Sequence, residues 1–436
     1  MSHDTTPAGA AARTSTVARR TTLIVLTLIA TVQFFDRALM VVVMEPIKSE
    51  FALSDSQLGL LAGFSYAAAF ALAGIPLGWV ADRTNRRNLL ALLLAVWSAL
   101  VALAGSAGSF AALVATRVGI GAADAGGQPC SVSTIADLYP RDKRAGAVAV
   151  FYVGVPLGML LGFMAGGFIA AQYGWRTGFY VAAVPGVVLT LALLLFTREP
   201  RRGAADVGAH DALPPSLGAT LRFMRGQSSL MLIMAASVLV TASSSAMMSW
   251  IGSLLVRSHG LTLQQVGLVT ALCMGGVGAL GNLASGALAD RLTRRDARWQ
   301  LGVPLVGIGA ALPLGLAYLA LGPRDTALAV ALVIAFGFFI AWWVAPSYAA
   351  LSLVVAPARR GTANAMLMLA GAVGGGGIGP VLTGAVSDLL AGHVSGDPLR
   401  WALALMVALL APSWLAFSSA MRAYPAARRA ALGEAA

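Results

Sequence analysis

Four ionisable residues stand inside long apolar stretches of this sequence: Asp36, Arg37, Arg117 and Asp124. If these stretches cross a membrane, each unpaired charge near the bilayer centre would cost roughly 2.5 to 3.5 kcal/mol. We therefore expect the four side chains to face the interior of a helical bundle and to pair with one another. Desolvation favours the protonated form of a carboxylate, whereas a nearby arginine favours the charged form, so changes in water access would load and unload a proton. The pattern thus favours proton coupling.

Helical spacing predicts how the four charges pair. Arg117 and Asp124 are seven residues apart, or two turns, so both lie on nearly the same face of one helix. Asp36 and Arg37 are neighbours about 100° apart around the helix axis, so one is expected to face a cavity and the other a packed helix. We predict cross-pairing, such as Asp36 with Arg117 or Arg37 with Asp124. The alternative is a static cluster of ion pairs that only orients the first and fourth helices.

The composition requires lipid as the surrounding solvent. Hydrophobic residues make up 58% of the 436 positions and charged residues only 11%, about half the share in a soluble domain. Runs such as 179–196 approach the length that crosses a hydrocarbon core of about 30 Å, where the backbone must be helical. The expected fold class is an all-α membrane protein with twelve transmembrane helices in two parallel, pseudo-symmetric six-helix bundles.

The basic residues indicate orientation rather than a nucleic-acid site. The net charge is +12, and 23 of the 30 Lys and Arg residues lie on the side of the N-terminus, against five on the other side. Because cytoplasmic loops carry the excess of Lys and Arg, both termini of this integral cell-membrane protein are predicted to be cytoplasmic. The predicted domains are a cytoplasmic arm over 1–20, bundles over 21–197 and 229–420, a cytoplasmic linker over 198–228 and a cytoplasmic tail over 421–436.

Few residues are available for other kinds of chemistry. Cys130 and Cys273 both fall in apolar segments and the four histidines lie outside the spans, so neither a disulfide framework nor a metal site is expected. A membrane enzyme would need a nucleophile, a metal cluster or an acid and base pair near an interface. We therefore predict no cofactor and no enzymatic activity. A passive channel stays open as an alternative, although the sequence has no ring of repeated filter residues.

A charged motif occurs twice, 208 residues apart. Residues 78–87 read GWVADRTNRR and residues 286–295 read GALADRLTRR, each after the second span of its half. An even number of spans separates the copies, so the halves are parallel repeats with both motifs on the cytoplasmic side. The aspartates would accept hydrogen bonds at helix N-termini while the arginines pair with acids at other helix ends, as a latch. The alternative is anchoring by positive charge alone. The predicted cytoplasmic gate consists of Asp82, Arg83, Arg86, Arg87, Asp137, Arg144, Asp290, Arg291, Arg294 and Arg295.

The doubled motif resembles the cytoplasmic loop of the major facilitator superfamily, G-x-x-x-D-R-x-G-R-R. Both copies depart from it at the inner glycine, where Asn85 and Thr293 stand. The first half is similar to the Spinster-type subfamily in Phe35-Asp36-Arg37, in Thr116-Arg117-Val118-Gly119 through Asp124-Ala125, in Ile135-Ala136-Asp137-Leu138 and in Arg198-Glu199-Pro200. That subfamily usually has glutamate where Asp124 stands. The resemblance implies alternating access between two bundles, proton linkage through Asp36 and Asp124, and a lysolipid or another lipid-like amphiphile as substrate.

The second half has no ionisable residue at midspan, which predicts an asymmetric substrate cavity. Its apolar wall would include Trp250, Trp342, Trp343 and Tyr348, although aromatic residues also pack helices together. With Arg37 and Arg117 as anion contacts on the other wall, the cavity suits an amphipathic or organic-anion substrate.

The predicted function is secondary active transport by alternating access, coupled to protons and carried out by a monomer. The predicted substrate is a lipid-like amphiphile such as a lysolipid, with a small organic anion as the alternative. The partners would be this substrate, protons and the lipid bilayer, and no nucleic acid is expected to bind.

Overall fold

Helices dominate the described part of the chain. The computed structural model describes residues 16–81, 83–200, 217–355 and 357–432. Eleven helices in these ranges are long and apolar enough to cross a membrane. A twelfth, over residues 110–138, is broken at Gly126 into Phe110–Ala125 and Gly127–Leu138, each shorter than a full span. The predicted all-α fold with twelve membrane helices is confirmed.

We number the membrane helices α1 to α12 along the chain. The first bundle contains α1 (Thr16–Val42), α2 (Asp55–Ala81), α3 (Arg86–Gly105), α4 (residues 110–138), α5 (Arg141–Tyr173) and α6 (Trp175–Phe196). The second contains α7 (Ser228–His259), α8 (Leu263–Thr293), α9 (Trp299–Ala320), α10 (Pro323–Val354), α11 (Thr362–Leu390) and α12 (Pro398–Arg429). Short helices occupy Met44–Phe51 between α1 and α2 and Leu217–Arg225 between the bundles.

Several helices extend beyond the predicted domain limits. The first helix begins at Thr16, within the predicted arm, and the helical segment Leu410–Leu432 carries α12 into the predicted tail. The short helix Leu217–Arg225 lies within the predicted linker. Hydropathy marks only the residues inside the hydrocarbon core, whereas a helix continues into the interface until its backbone bonding ends.

Equivalent helices pair in the two halves. In the first bundle α1 packs along α5, α2 along α4 and α3 along α6. Six helices later in the sequence, α7 packs along α11, α8 along α10 and α9 along α12. This correspondence is the arrangement expected of a parallel repeat.

The beginning of α1 and the end of α12 lie on one face, which we call the terminal face. The carbonyl of Arg19 accepts a hydrogen bond from the Tyr139 hydroxyl, just after α4, at 3.3 Å. The Tyr424 hydroxyl, near the end of α12, donates to the carbonyl of Ala350, near the end of α10, at 3.5 Å. The α1–α2 connection lies at the other end of these helices, on what we call the opposite face.

The two bundles meet where α2 packs on α11 and α5 packs on α8. These contacts lie toward the opposite face, where small residues allow the helix backbones to touch. A Cβ atom at Gly384 would collide with the carbonyl of Asp55, and one at Gly267 with the carbonyl of Phe163. Gly377 of α11 packs against Ala67 of α2, whereas Cβ atoms at Gly74 and Gly78, on the same face of α2 but in its terminal half, would meet no atom within 4 Å. The space between the bundles therefore opens toward the terminal face.

Candidate functional site

The first buried ion pair joins α1 to α4 inside the first bundle. Arg117 donates from Nη1 to Asp36 Oδ2 at 2.9 Å and from Nη2 to Asp36 Oδ1 at 3.1 Å. Both residues are almost completely buried, and the Arg117 guanidinium lies 5.2 Å from the centre of the Phe179 ring on α6. Two parallel hydrogen bonds fix the geometry of an arginine and a carboxylate. This pair is sealed within the helix packing.

The second pair lies at the boundary between the bundles. Arg37 Nη2 donates to Asp124 Oδ2 at 3.0 Å, and the Arg37 side chain is 29% exposed while that of Asp124 is 1% exposed. The part of α2 next to this pair contacts the second bundle, because a Cβ atom at Gly377 of α11 would lie 3.1 Å from the Ala67 side chain. Both predicted cross-pairs are therefore present, and Arg37 is the member of the quartet that reaches the space between the bundles.

Tyr66 on α2 shares the same carboxylate oxygen. Its hydroxyl donates to Asp124 Oδ2 at 2.8 Å, whereas the buried Oδ1 has no hydrogen-bond partner within the described ranges. The Tyr66 backbone lies close to α4 because residue 121 is glycine, and a Cβ atom there would collide with the Tyr66 carbonyl. Because Gly121, three residues before Asp124, has no side chain, α2 and α4 can come into contact at this point.

Aromatic rings surround the Arg37 guanidinium. Its central carbon lies 4.4 Å from the ring centre of Phe34, 4.7 Å from Tyr66 and 5.9 Å from Phe70. Each ring face attracts a cation, more strongly where water is excluded. Sequence reasoning did not find these residues, although Phe34 precedes Arg37 by one turn and Tyr66 and Phe70 are spaced by one turn on α2.

The aromatic residues predicted to line the second wall are mostly engaged in helix packing. Trp250 is fully buried and donates from its indole nitrogen to the carbonyl of Pro380 at 3.0 Å, and Trp343 is only 8% exposed. Trp342 packs against the rings of Phe338 and Phe339 on its own helix, and Tyr348 is half-buried. Trp250 and Trp343 therefore do not line an open cavity in this conformation, because each is buried between helices of the second bundle.

The first copy of the repeated motif forms a charged cluster on the terminal face. Arg86 lies 2.6 Å from Asp137 and 2.9 Å from Glu199, and it donates to the Ser133 hydroxyl at 2.6 Å. Glu199 also accepts a hydrogen bond from the backbone N–H of Arg87 at 2.9 Å, in the first turn of α3. The anion at this helix N-terminus is thus Glu199, which the sequence prediction did not include in the gate. Its signal was its position directly after the sixth span.

The remaining gate residues of the first half have simpler surroundings. Arg144 donates to the carbonyl of Ala136 at 2.7 Å. The Arg83 guanidinium lies 4.1 Å from the centre of the Trp79 ring, one turn earlier. Asp82 lies outside the described residues.

In the part of the chain that the structure describes, the second copy of the motif forms no equivalent cluster. Asp290, Arg291, Arg294 and Arg295 form no ion pair within the described ranges, and all four are exposed. Asp290, Arg291 and Arg294 border an open cavity of about 640 Å³. Within the described residues, the pairing expected for this copy is absent from this conformation.

The contrast between the two copies predicts different mutational costs. We expect Arg86→Ala to lower the free energy of unfolding by about 3 kcal/mol, because it removes the buried guanidinium that joins the carboxylates of Asp137 and Glu199. Arg294→Ala, at the equivalent position 208 residues later, should change it by less than about 0.5 kcal/mol, because Arg294 is exposed. Thermal unfolding of both variants in detergent measures the difference. Equal effects would contradict the asymmetry.

A second ionic network closes the opposite face across both bundles. From the end of α7, Arg257 donates to Glu45 at 2.7 Å and to the two oxygens of Asp55 at 2.8 and 2.9 Å. Lys48 lies 2.5 Å from Asp55, and the Ser387 hydroxyl of α11 donates to Asp55 at 2.7 Å. At the sequence level, Lys48 and Arg257 counted only among the five basic residues on this side. No spacing rule joined Arg257 to Glu45 and Asp55, because these two acids lie in the other half of the chain.

Asp388 makes a second connection between the two bundles at the same face. Its carboxylate accepts hydrogen bonds from the backbone N–H groups of Asp55 at 3.0 Å and Ser56 at 2.8 Å, and from the Ser56 hydroxyl. An acid from the second bundle therefore caps the N-terminus of α2 in the first, where the helix dipole favours a negative charge. We call Glu45, Asp55, Arg257 and Asp388 the opposite-face lock.

An ion pair near this lock lies within a single bundle. Arg176 donates to Glu50 at 2.5 Å and the Trp175 indole donates to the same oxygen at 2.7 Å. These hydrogen bonds, that of Arg176 first, hold the pKa of Glu50 below its ordinary value. Its stabilising contribution is therefore present at neutral pH and is lost as the pH falls through that lowered pKa. Solvent weakens the pair, because both side chains are more than a third exposed.

Comparisons with known proteins agree with this architecture. The family model described as Major Facilitator Superfamily matches residues 26–376. An MFS-type efflux pump of Mycolicibacterium smegmatis is 32% identical over 393 residues, covering 88% of each chain. Human protein spinster homolog 1 is 29% identical over 84% of this chain and 72% of its own length. The sphingosine-1-phosphate transporter SPNS2 of Danio rerio is 27% identical over 86% of this chain and 78% of its own length.

Among solved structures, the chain is similar to a bacterial homolog of the human lysosomal transporter Spinster, in an inward-facing and unoccupied conformation. The TM-score is 0.83, the identity is 26%, and the match covers 96% of this chain and 99% of that one. The same homolog in an inward-facing and occupied conformation gives a TM-score of 0.80.

Proposed function

The chain belongs to the major facilitator superfamily and resembles its Spinster-type members, and we propose that it is a proton-coupled transporter of a lipid-like amphiphile. As a member of this superfamily it is an integral membrane transporter and not an enzyme. The single observation that carries the proposal is the Arg37–Asp124 pair, partly exposed between the bundles at midspan. A buried carboxylate in contact with a cavity-facing arginine couples proton binding to the charge presented to a substrate.

The proposed coupling follows from the electrostatics of this pair. While Asp124 is charged, it neutralises Arg37. When Asp124 takes up a proton, the attraction is lost and Arg37 presents an uncompensated positive charge within its ring of aromatic side chains. An anionic head group would bind there, and the apolar helices of the second bundle would contact its chain. The relative that transports sphingosine-1-phosphate supports an amphiphile with an anionic head.

A small organic anion is the second candidate substrate. The same partly exposed Arg37 favours it, because a guanidinium pairs with a carboxylate or phosphate whether or not the anion carries an acyl chain. The three aromatic rings around Arg37 form an apolar surface, which favours the amphiphile over the small anion.

The proposed transport cycle alternates access to this site from the two faces. We assign the terminal face to the cytoplasm, which the distribution of Lys and Arg supports. The conformation described here is then open to the cytoplasm and closed by the opposite-face lock. We propose the charged cluster around Arg86, together with its second copy, as the gate for the reverse conformation, and a single chain as the functional unit.

Proteoliposomes with an imposed pH difference test this proposal. We expect a fluorescent lysophospholipid to accumulate across the membrane, driven by the pH difference, and a protonophore to abolish the accumulation. A passive channel would only equilibrate the substrate, which would contradict proton coupling. Competition by excess unlabelled lysophospholipid, but not by a short-chain organic anion, is expected. The reverse result would favour the small-anion alternative.

A further inference from the structure

The two oxygens of the Asp124 carboxylate have different surroundings. Oδ2 accepts hydrogen bonds from Arg37 at 3.0 Å and from the Tyr66 hydroxyl at 2.8 Å. Oδ1 is buried and has no partner within the described ranges. A carboxylate with both donors on one oxygen binds a proton most readily at the other, because protonation there leaves both hydrogen bonds in place.

The position of Tyr66 is fixed by contacts other than this hydrogen bond. Its ring stacks on Phe70 with a centroid distance of 5.9 Å and an interplanar angle of 24°, and it lies below the Arg37 guanidinium. Its backbone is held against α4 at Gly121. The hydroxyl therefore stays directed at Asp124 when the attraction between Asp124 and Arg37 is removed.

The other charged groups around Asp124 act less directly. From α1 the facing groups are Arg37 and Asp36, and Arg117 lies two turns earlier on α4. Asp36 and Arg117 are joined by two hydrogen bonds, so their charges largely cancel. Helix α3 carries charge only at its terminal end, on Arg86 and Arg87. Among the described residues, Arg37 and Tyr66 are thus the two groups that form hydrogen bonds to Asp124 itself.

We infer that Tyr66 is a positioning residue that keeps Asp124 Oδ2 toward Arg37 and leaves Oδ1 as the proton acceptor, and so sets the pH at which the carboxylate loads. This inference rests on the proposed proton coupling at Asp124. The phenol donates to Oδ2 of the charged carboxylate and to the same oxygen of the protonated acid. Because a hydrogen bond to a charged group is stronger than one to a neutral group, Tyr66 favours the charged form.

Tyr66→Phe tests the inference, because it removes the hydroxyl and keeps the ring. We expect the pH midpoint of substrate transport to rise by about one unit, since the charged carboxylate loses one of two donors. Tyr180→Phe is the matched control, because it removes the same hydroxyl from a tyrosine on α6 that is 44% exposed and is not one of the two donors to Asp124, so its pH midpoint should remain unchanged.

A spectroscopic titration separates this inference from the proposed function. The infrared band of the protonated Asp124 carboxyl group, assigned by its absence in Asp124→Asn, should titrate at higher pH in Tyr66→Phe than in the wild type. An unshifted band in Tyr66→Phe would overturn the role of Tyr66, even if Asp124 still couples transport to protons. If the band shifts but Asp124→Asn retains proton-driven transport, Tyr66 tunes Asp124 as inferred and the proposed coupling fails.

Discussion

Asp124→Asn is expected to abolish proton-driven accumulation of substrate and to leave equilibration across the membrane. Asparagine keeps the shape of the side chain and still accepts a hydrogen bond, but it neither binds nor releases a proton. For each coupled proton, a pH difference of one unit supports about tenfold accumulation, since about 1.4 kcal/mol corresponds to a factor of ten. The variant should fall to a ratio of about one in the same vesicles, by the same relation.

The control for this prediction is Asp325→Asn. Asp325 is an exposed carboxylate on the opposite face, so its neutralisation should leave the accumulation ratio unchanged. Substrate counterflow, which needs no net proton movement, should persist in Asp124→Asn. Wild-type accumulation in Asp124→Asn would remove Asp124 from the coupling mechanism. Loss of counterflow as well would indicate damage to the substrate site instead.

The two buried acids that sequence reasoning grouped together have different surroundings. Asp36 is sealed with Arg117 by two hydrogen bonds, whereas Asp124 shares its pair with the partly exposed Arg37. Removing Asp36 would leave a buried guanidinium without its partner, which typically costs 3 to 5 kcal/mol. The Asp36–Arg117 pair therefore fits the static, helix-orienting role better, and Asp124 is the stronger candidate for proton coupling.

Local rules were sufficient to predict the pairs within the first bundle. The cost of an unpaired charge in lipid and the spacing of Arg117 and Asp124 on one helix required partners close by, and α1 was the other apolar segment with charges. The fold class followed from apolar runs, because a membrane permits few alternatives to helices. These constraints act over one or two helical turns and can be read directly from the chain.

The residues that sequence reasoning missed depend on contacts between distant segments. The opposite-face lock joins Asp55 to residues more than 200 positions away, and no periodicity identifies such partners. The orientation of Trp250 depends on how α7 packs on α11, which hydropathy does not specify. In the second motif copy the same residue types recur, but within the described ranges they form none of the ion pairs of the first copy. The repeated sequence therefore predicted where the second copy lies but not which ion pairs it forms.

The second large effect is expected at the opposite-face lock. Arg257→Met should shift the protein toward conformations that are open at this face. The substitution leaves Glu45 and Asp55, mostly buried, as neighbouring negative charges without the guanidinium that joined them. Breaking such a pair costs several kcal/mol while the face is closed, and opening rehydrates both acids. A bias of about 2 kcal/mol would change the ratio of open to closed molecules about 30-fold.

Distance measurements between the bundles test this shift. Spin labels at Ser106 and Arg324, exposed positions at the opposite-face ends of the two bundles, would report the opening of this face. The buried Cys130 and Cys273 would first be replaced by serine. We expect a longer distance to gain population in Arg257→Met. Arg176→Met is the matched control, because it breaks an ion pair on the same face within one bundle and should leave the distribution unchanged. An unchanged distribution in Arg257→Met would show that the glycine contacts of α2 with α11 and α5 with α8 hold the face closed without the lock.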